Sequence, residues 1–282
     1  MDYNCKEMIH IKDGNVEYLK FKKLEKYNKN INHVITLRHG GVSDYPIESL
    51  NFRTVGNDKK ENVVRNINII CDKIGIDKEN VYKARQNHTS NVLILDESNK
   101  NKYLFEKYSN EEFDAYVTNC RNIATLITTA DCNPIIIYDP KKNVLSNVHS
   151  GWKGTLKKVY LNAIDVMIDR FNSNVEDLIF CIGPSIKKCC FTSKEKEFKE
   201  KFTSTWDEEE KYIYYEEGSD IFHIDLAYVI KEDIIKRGIK KENIAICDIC
   251  TMCNNNDFYS YRMAIQRNFN DYGTFATIAY LK

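Results

Sequence analysis

The stretch that decides the fold is residues 124–155, which read ATLITTADCNPIIIYDPKKNVLSNVHSGWKGT. It holds three short apolar runs rich in β-branched residues, at 124–128, 134–138 and 144–148, separated by polar turns. Short runs bounded by Asp, Asn, Pro and Lys are typical of buried strands. From Thr155 onward the apolar residues follow a helical period instead. The stretch therefore predicts three central strands followed by a helix.

Strands and helices alternate on both sides of this stretch. Apolar positions at helical spacing over 61–74, with Gly75 behind them where a left-handed cap would lie, predict a helix. Further helices are predicted at 195–202 and after Asp225, and further strands at 34–37, 81–84, 92–95, 178–182, 244–249 and 274–281. Because no linker, repeat or low-complexity run divides the chain, we predict a single α/β layered domain over residues 1–282, built on mixed sheets.

Composition and charge restrict the class of ligand. The chain of 282 residues carries 41 basic and 41 acidic side chains, so no overall positive field attracts nucleic acid or anionic lipid. Residues 1–12 lack the apolar core of a secretory signal, and no apolar stretch of about 18 residues is present. We therefore expect a cytoplasmic protein that binds a small molecule, without nucleic-acid or membrane partners. In such a protein ten cysteines are expected to be buried thiols or metal ligands.

Three residues that can bind a soft metal, His88, Cys132 and His149, lie in polar turns at the edges of predicted strands. Catalytic zinc commonly takes three ligands from His, Cys, Asp and Glu and leaves a fourth position for water or substrate. The spacing is long, 44 residues from His88 to Cys132 and 17 more to His149, so only the fold can bring the three together. Asp131 is a candidate to accept the ring N–H of a ligand histidine; the alternative is a turn or helix cap.

Two other interpretations use the same three residues. A lone cysteine at a strand end is most often a small buried side chain, and a lone histidine is most often a hydrogen-bonded structural group. Alternatively, Cys132 is a nucleophile and His88 or His149 is its base. Such an enzyme would be inactivated by thiol alkylation and indifferent to chelators. A metal enzyme would lose activity with a strong chelator and regain it with zinc.

A second cysteine group, Cys247, Cys250 and Cys253, has the spacing C-x-x-C-x-x-C. This spacing is similar to part of an iron–sulfur or structural zinc site. The fourth cysteine is missing locally, and Asn254 follows instead of the expected Cys-Pro ending. We therefore expect buried or reducible thiols here.

Arginine and glycine residues near predicted strand ends suggest contacts to an anion. Arg38 precedes His39-Gly40-Gly41, where paired glycines let the backbone approach a ligand and the guanidinium offers a fork for phosphate or carboxylate. The alternative is an ordinary glycine turn with a solvated arginine, and Arg262 has the same two interpretations. The loop 151–155, which contains Lys153, is a candidate phosphate cradle at a helix start, although it lacks the P-loop spacing.

An ordered set of motifs extends over most of the chain. It consists of residues 36–43 (TLRHGGVS), 49–51 (SLN), Gln86 with His88, Asp114-Ala115 with Val117-Thr118, 129–132 (TADC) with Pro134, Asp139-Pro140, 149–155 (HSGWKGT), 183–186 (GPSI) with Cys189, Cys250-Thr251 and 260–262 (SYR). In order and content this set resembles the bacterial family once called multicopper polyphenol oxidoreductases or laccase-domain proteins. That family is now described as zinc-dependent purine nucleoside phosphorylases with related adenosine deaminase activity.

The resemblance implies a fold, a metal and a reaction. The fold is a single α/β/β/α-type sandwich, and a zinc ion is held by the two histidines and the cysteine named above in a cleft for purine nucleosides. The reaction is phosphorolysis of adenosine, inosine, guanosine or methylthioadenosine to free base and ribose 1-phosphate, with zinc-dependent adenosine deamination as a related activity. Arg38, Asn51 and Arg262 are then the candidate contacts to phosphate or nucleoside.

Three arginines typical of this family are absent, because Ile67, Met263 and Thr274 stand in their places. Phosphate affinity or nucleoside preference is therefore expected to differ, and two alternative functions stay open.

The older family name suggests copper-dependent phenol oxidation, with Cu²⁺ instead of Zn²⁺. One His–Cys–His set without Met-rich or His-x-His ligands cannot, however, build the several copper centres of four-electron oxygen reduction. A non-catalytic nucleoside-binding protein would keep the pocket without turnover.

Overall fold

The computed structural model describes residues 5–107 and 109–282, and its framework is two six-stranded sheets. With strands numbered in chain order, the first sheet has the order β1 (Met8–Asp13), β2 (Val16–Phe21), β3 (Ile31–Thr36), β15 (Phe275–Leu281), β7 (Ala124–Thr129), β4 (Val81–Tyr82). The second has the order β14 (Ile244–Ile246), β10 (Ile179–Ile182), β8 (Asn133–Asp139), β9 (Val144–Ser150), β6 (Ala115–Thr118), β5 (Val92–Ile94). Both sheets combine parallel and antiparallel pairs.

A third, smaller sheet, seven α-helices and several short 3-10 turns complete the described architecture. The small sheet has the order β11 (Thr192–Ser193), β13 (Phe222–Ile224), β12 (Ile213–Tyr215). The helices are α1 (Lys22–Glu25), α2 (Lys60–Ile74), α3 (Trp152–Leu156), α4 (Val159–Phe171), α5 (Lys196–Thr203), α6 (Leu226–Arg237) and α7 (Tyr261–Gln266). None of the helices in residues 5–107 and 109–282 is long and apolar enough to cross a membrane.

The two large sheets face each other, and helices cover their outer faces. One buried cluster joins Ile35 and Ala279 of the first sheet to Ile136 and Cys181 of the second. A second cluster packs α2 against the outer face of the first sheet, and a third packs α4 and α6 against the outer face of the second. The predicted α/β/β/α layering with mixed sheets is therefore confirmed.

The stretch 124–155 lies at the centre of this sandwich. Every residue of β8 and β9 is buried, as expected for strands covered on both faces. Asn147 of β9 points between the sheets, where its amide donates to the carbonyls of Thr125 (3.1 Å) and Thr277 (3.0 Å). Since a buried amide without partners is costly, these bonds fix how the sheets are stacked.

Most predicted elements are confirmed, and Gly75 caps α2 in the left-handed region at φ 70°. The predicted strands at 81–84 and 92–95 exist as β4 and β5, but they belong to different sheets. β4 pairs with β7 in the first sheet, whereas β5 pairs with β6 in the second. The chain segment that contains His88 therefore crosses from one sheet to the other.

Candidate metal centre and active site

Antiparallel pairing brings Cys132 and His149 together. In the β8–β9 register Asn133 lies opposite Ser150, and Pro134 lies opposite His149. Cys132 directly precedes β8, so the pairing places it beside the end of β9. The two residues are neighbours because of strand register, which their separation of 17 positions in the sequence does not reveal.

Gln86 holds the loop that carries His88 close to Cys132 and His149. Its side-chain amide donates to the Thr128 carbonyl and accepts from the Thr128 N–H, each at 2.8 Å, so the loop after β4 is tied to the end of β7. Two residues further on, His88 has a left-handed backbone at φ 55°. This sharp local bend turns the segment that crosses between the sheets and presents His88 beside Cys132 and His149.

Asp114 holds both histidines in position. Its carboxylate lies 2.7 Å from His149 Nδ1. It also accepts hydrogen bonds from the backbone N–H groups of His88 (3.1 Å) and Thr89 (2.6 Å). Burial alone would raise the pKa of this carboxyl, but His149 and Thr89 outweigh it and lower the pKa of Asp114 to about 2. Asp114 therefore stays ionised and fixes the orientation of the His149 ring.

Of the two predicted roles of Asp131, a turn residue or an acceptor for a ligand histidine, the structure agrees with the first. The Asp131 carboxylate accepts from the Thr251 hydroxyl (2.7 Å), the Ser260 hydroxyl (3.0 Å) and the Arg262 N–H (2.8 Å). Its backbone is left-handed at φ 86°, in agreement with the alternative expectation of a turn. Asp131 thus ties the turn beside Cys132 to the segment that begins α7, while Asp114 contacts the histidine.

The side chains of His88, Cys132 and His149 can hold a metal ion, since one ligand atom from each lies within 4.8 Å of the others. The buried Nδ1 atom of His88 makes no hydrogen bond to another described residue. Burial, followed by the neighbouring His149, lowers the pKa of His88 to about 4, so its imidazole is neutral and able to bind a metal. A Cβ added at Gly151 would lie 2.7 Å from Cys132 Sγ and 2.8 Å from His88 Nδ1, so glycine keeps this space clear.

The three side chains open into a cavity of about 840 Å³. Its aromatic lining includes Phe105, Trp152, Phe191, Tyr261 and Tyr272. Among the described lining residues six are basic and one, Asp131, is acidic; the basic ones are Arg53, Lys60, Lys83, Arg85, Lys153 and Arg262. Cavities of this size commonly bind small molecules, and the excess of positive charge favours an anionic group.

The structure brings one of the three predicted substrate contacts into this cavity. Arg262 lines it, donates from Nη1 to the Thr192 carbonyl at 3.0 Å and lies over the Phe191 ring. The Arg38 guanidinium donates instead to the backbone carbonyls of Glu48 and Asn255.

Asn51, like Arg38, is not among the described residues that line the cavity. Its buried amide donates to Asp58 at 2.8 Å and accepts from the backbone N–H groups of Arg53 and Thr274. Asn51 thus positions two residues that do line the cavity, and one of them, Thr274, is a position where the resemblance leads us to expect an arginine. The other two such positions are Ile67, on the buried face of α2, and Met263, outside the lining.

Sequence reasoning missed a second group of clustered thiols. The Sγ atoms of Cys189, Cys190, Cys250 and Cys253 lie within 4.8 Å of one another. Cys250 and Cys253 of the 247–253 run thus have two cysteine neighbours from another loop, which the local sequence does not show. Cys247 is not in this group and lies 3.7 Å from Cys5. The adjacent cysteines at 189 and 190 were the available signal.

The chain belongs to the family described as "Multi-copper polyphenol oxidoreductase laccase", which matches residues 32–282. It is 28% identical to "Purine nucleoside phosphorylase" of Bacteroides thetaiotaomicron over 86% of this chain and 90% of that one. It is 31% identical to mouse "Purine nucleoside phosphorylase LACC1" over 82% of this chain and 52% of that protein. It is 27% identical to "Adenosine deaminase RL5" of an unknown prokaryotic organism over 67% of this chain and 72% of that one.

Solved structures share the fold. A Bacillus licheniformis hypothetical protein, YfiH, superposes with a TM-score of 0.86 at 23% identity, covering 97% of this chain and 99% of that one. YlmD from Geobacillus stearothermophilus gives a TM-score of 0.85 at 20% identity, covering 98% and 99%. At such identities the likeness establishes the α/β architecture only.

Proposed function

We propose that this protein is an enzyme that splits purine nucleosides with phosphate, releasing the free base and ribose 1-phosphate. Adenosine, inosine, guanosine and methylthioadenosine are the proposed substrates. The names of the curated relatives support a purine nucleoside phosphorylase. The observation that carries the proposal is one cavity of about 840 Å³ that combines a metal-binding set, basic side chains and aromatic rings.

Two of these features match the two parts of the substrate pair, phosphate and base. The basic lining provides sites for phosphate, which needs cations to compensate for its desolvation. Aromatic rings such as Trp152 and Phe191 provide apolar faces for a planar base. Arg262 is the proposed contact to the phosphate or ribose, because its guanidinium is held on the cavity wall by the Thr192 carbonyl.

Zinc is the metal we propose for His88, Cys132 and His149, because two imidazoles and a thiolate are a common catalytic zinc set. His149 would bind through Nε2, since its Nδ1 contacts Asp114. When bound, zinc would act as a Lewis acid that polarises a substrate oxygen or activates water. Asp114 would keep the His149 ring oriented, and Gly151 would leave the ligand atoms free of steric contact.

Lys83 is a proposed phosphate contact. Burial lowers its pKa to about 8, against the opposing effect of Asp114. It therefore carries a positive charge at neutral pH and loses it at moderately alkaline pH. A charged lysine in the lining would hold phosphate near the nucleoside, and this converts part of the encounter into an intramolecular step.

Adenosine deamination is a proposed side activity, supported by the relative named adenosine deaminase. Copper-dependent phenol oxidation is less favoured, because one His–Cys–His set supplies ligands for one ion rather than for several copper centres. A cysteine nucleophile would use the same side chains, and chelation distinguishes it from the metal enzyme. A non-catalytic nucleoside-binding protein would bind substrate without forming product.

The test is incubation of the purified protein with each nucleoside, with and without phosphate, followed by chromatography of base, ribose 1-phosphate and inosine. We expect phosphate-dependent release of base, loss of activity with a strong chelator, and recovery with zinc. Base release that ignores phosphate, or activity that survives chelation but not thiol alkylation, would contradict the proposal. Tight nucleoside binding without any product would favour the binding protein.

A further inference from the structure

Four cysteine thiols outside the cavity meet between two loops. Cys189 and Cys190 lie between β10 and β11, and Cys250 and Cys253 lie in the turns after β14. All four Sγ atoms are within 4.8 Å of one another, and Cys253 Sγ lies 3.6 Å from Cys189 Sγ and 3.3 Å from Cys190 Sγ. None of the four is among the described residues that line the cavity.

The sulfur separations suit one ion coordinated by four thiolates. A Zn–S bond of about 2.3 Å in a tetrahedron separates the sulfurs by roughly 3.8 Å. Separations of 3.3 and 3.6 Å are close to this value and well beyond a disulfide bond of about 2.05 Å. A four-iron cluster needs more space, because each cysteine then binds a different iron atom.

The backbone around the thiols is already tied together. Ser185 N–H donates to the Ile249 carbonyl at 3.4 Å, and Thr251 N–H donates to the Ser185 carbonyl at 3.1 Å. Lys187 N–H donates to Cys250 Sγ at 3.5 Å, and the backbone of Cys253 donates to the same sulfur. Donors of this kind stabilise a thiolate, the form that binds metal.

A nearby positive charge complements the four thiolates. The Lys187 ammonium group donates to Ser185 Oγ at 2.8 Å and to the Gly183 carbonyl at 3.5 Å. Burial lowers the pKa of Lys187, and the thiolate forms of Cys247 and Cys250 oppose this lowering. A divalent ion with four thiolates has a net charge of −2, so this cation lowers the cost of holding it in the partly buried position.

We propose that Cys189, Cys190, Cys250 and Cys253 bind a second zinc ion, in a closed structural site. Binding converts four thiols to thiolates and releases their protons to solvent, without redox change. The ion would tie the loop that carries Ile186 and Phe191 to the segment that leads to Tyr261 and Arg262. All four of these residues line the cavity, so the site would stabilise one wall of it.

The test measures metal content with the two sites separated. The full chain is purified under reducing conditions, stripped, refilled with zinc and examined by mass spectrometry of the metal. Cys132→Ser removes a ligand of the cavity set and leaves the four cysteines intact, and we expect it to keep one zinc per chain. Cys253→Ser in that background should abolish zinc binding. Cys120→Ser is the matched control, because Cys120 is half-buried and belongs to none of the described metal-binding groups.

A cobalt spectrum gives an independent result. Cobalt added to the Cys132→Ser variant should give the intense sulfur-to-metal charge-transfer bands of tetrahedral thiolate coordination, and Cys189→Ser should weaken them. The inference is overturned if Cys132→Ser binds no zinc and shows no such bands. It is also overturned if Cys253→Ser and Cys189→Ser keep the metal content of the unchanged protein. Neither result depends on the proposed phosphorolysis.

Discussion

The two groups of metal-binding side chains differ in donor number and surroundings. The cavity set consists of two imidazoles and one thiol at the ends of sheet strands, and it opens into a space of about 840 Å³. The four-cysteine set lies on loops, with Cys189 and Cys253 exposed and Cys250 buried. Three protein donors leave a coordination position for substrate, whereas four close the coordination sphere. Donor number therefore separates a candidate catalytic centre from a candidate structural one.

The largest expected effect on the rate of phosphorolysis comes from substitutions in the cavity set. Cys132→Ser and His149→Ala should each lower phosphorolysis by more than about 100-fold, since even loss of a hydrogen bond to a metal ligand costs about 10- to 100-fold. Initial rates with inosine and phosphate measure this effect. Cys253→Ser should keep far more activity, because it alters the wall of the cavity and not its chemistry. Equal losses of activity in the cavity-set variants and in Cys253→Ser would contradict the division into a catalytic and a structural centre.

Gly151→Ala tests whether the space between the ligand atoms is needed. The added Cβ would lie under 3 Å from Cys132 Sγ and His88 Nδ1, and displacement of reacting groups by about 1 Å can cost about 100-fold in rate. We expect a fall of that order in rate together with lower zinc content. Gly154→Ala is the control, since its Cβ would make ordinary contacts at 3.4 Å or more. A fully active Gly151→Ala would mean that the three side chains do not share an ion.

Asp114→Asn should weaken zinc binding by about 10- to 100-fold, because the carboxylate that orients His149 is lost. Zinc titration against a competing chelator gives the affinity. The four-cysteine set does not contact Asp114 in the described structure, so one zinc per chain should remain tight. Weakening of both ions together would show that the two sites are not independent.

The smallest effect is a pH dependence at Lys83. Because the pKa of Lys83 is lowered to about 8, its charge is present below that pH and lost above it. The KM for phosphate should therefore rise by roughly fivefold as the pH passes 8, the size of a charge contact of about 1 kcal/mol. Lys83→Arg should remove this rise, since arginine stays charged. Because phosphate itself titrates, Lys83→Arg is also the control. The same rise in KM in the unchanged protein and in Lys83→Arg would show that Lys83 is not its cause.

The central fold could be predicted from sequence because its signals are local. β8 and β9 are buried along their whole length and carry short apolar runs, and α2 ends at a glycine that the left-handed cap requires. The hairpin of β1 and β2 was not predicted, since charged residues interrupt its apolar positions. Residues 20–29 are rich in lysine, yet Phe21 and Leu24 within them are fully buried, which the local composition does not indicate.

The candidate site was predicted in part. His88, Cys132 and His149 could be named from their polar turns, but their convergence depends on strand register and on the Gln86 contact to β7. The contact of Asp114 with His149 joins residues 35 positions apart. The four cysteines come from two loops more than 60 residues apart. The fold brings such distant residues together, and a single sequence carries no local signal that identifies them as neighbours.

The position of Asp131 would couple the proposed binding of zinc to the proposed binding of phosphate. It directly precedes Cys132, and its carboxylate holds the backbone N–H of Arg262 at 2.8 Å. A shift of the thiol on metal uptake would therefore be transmitted to Arg262, the proposed contact to phosphate or ribose. By thermodynamic linkage the effect is reciprocal: zinc should tighten phosphate, and phosphate should tighten zinc by the same factor. Calorimetric titration of each in the presence and absence of the other measures this cooperativity.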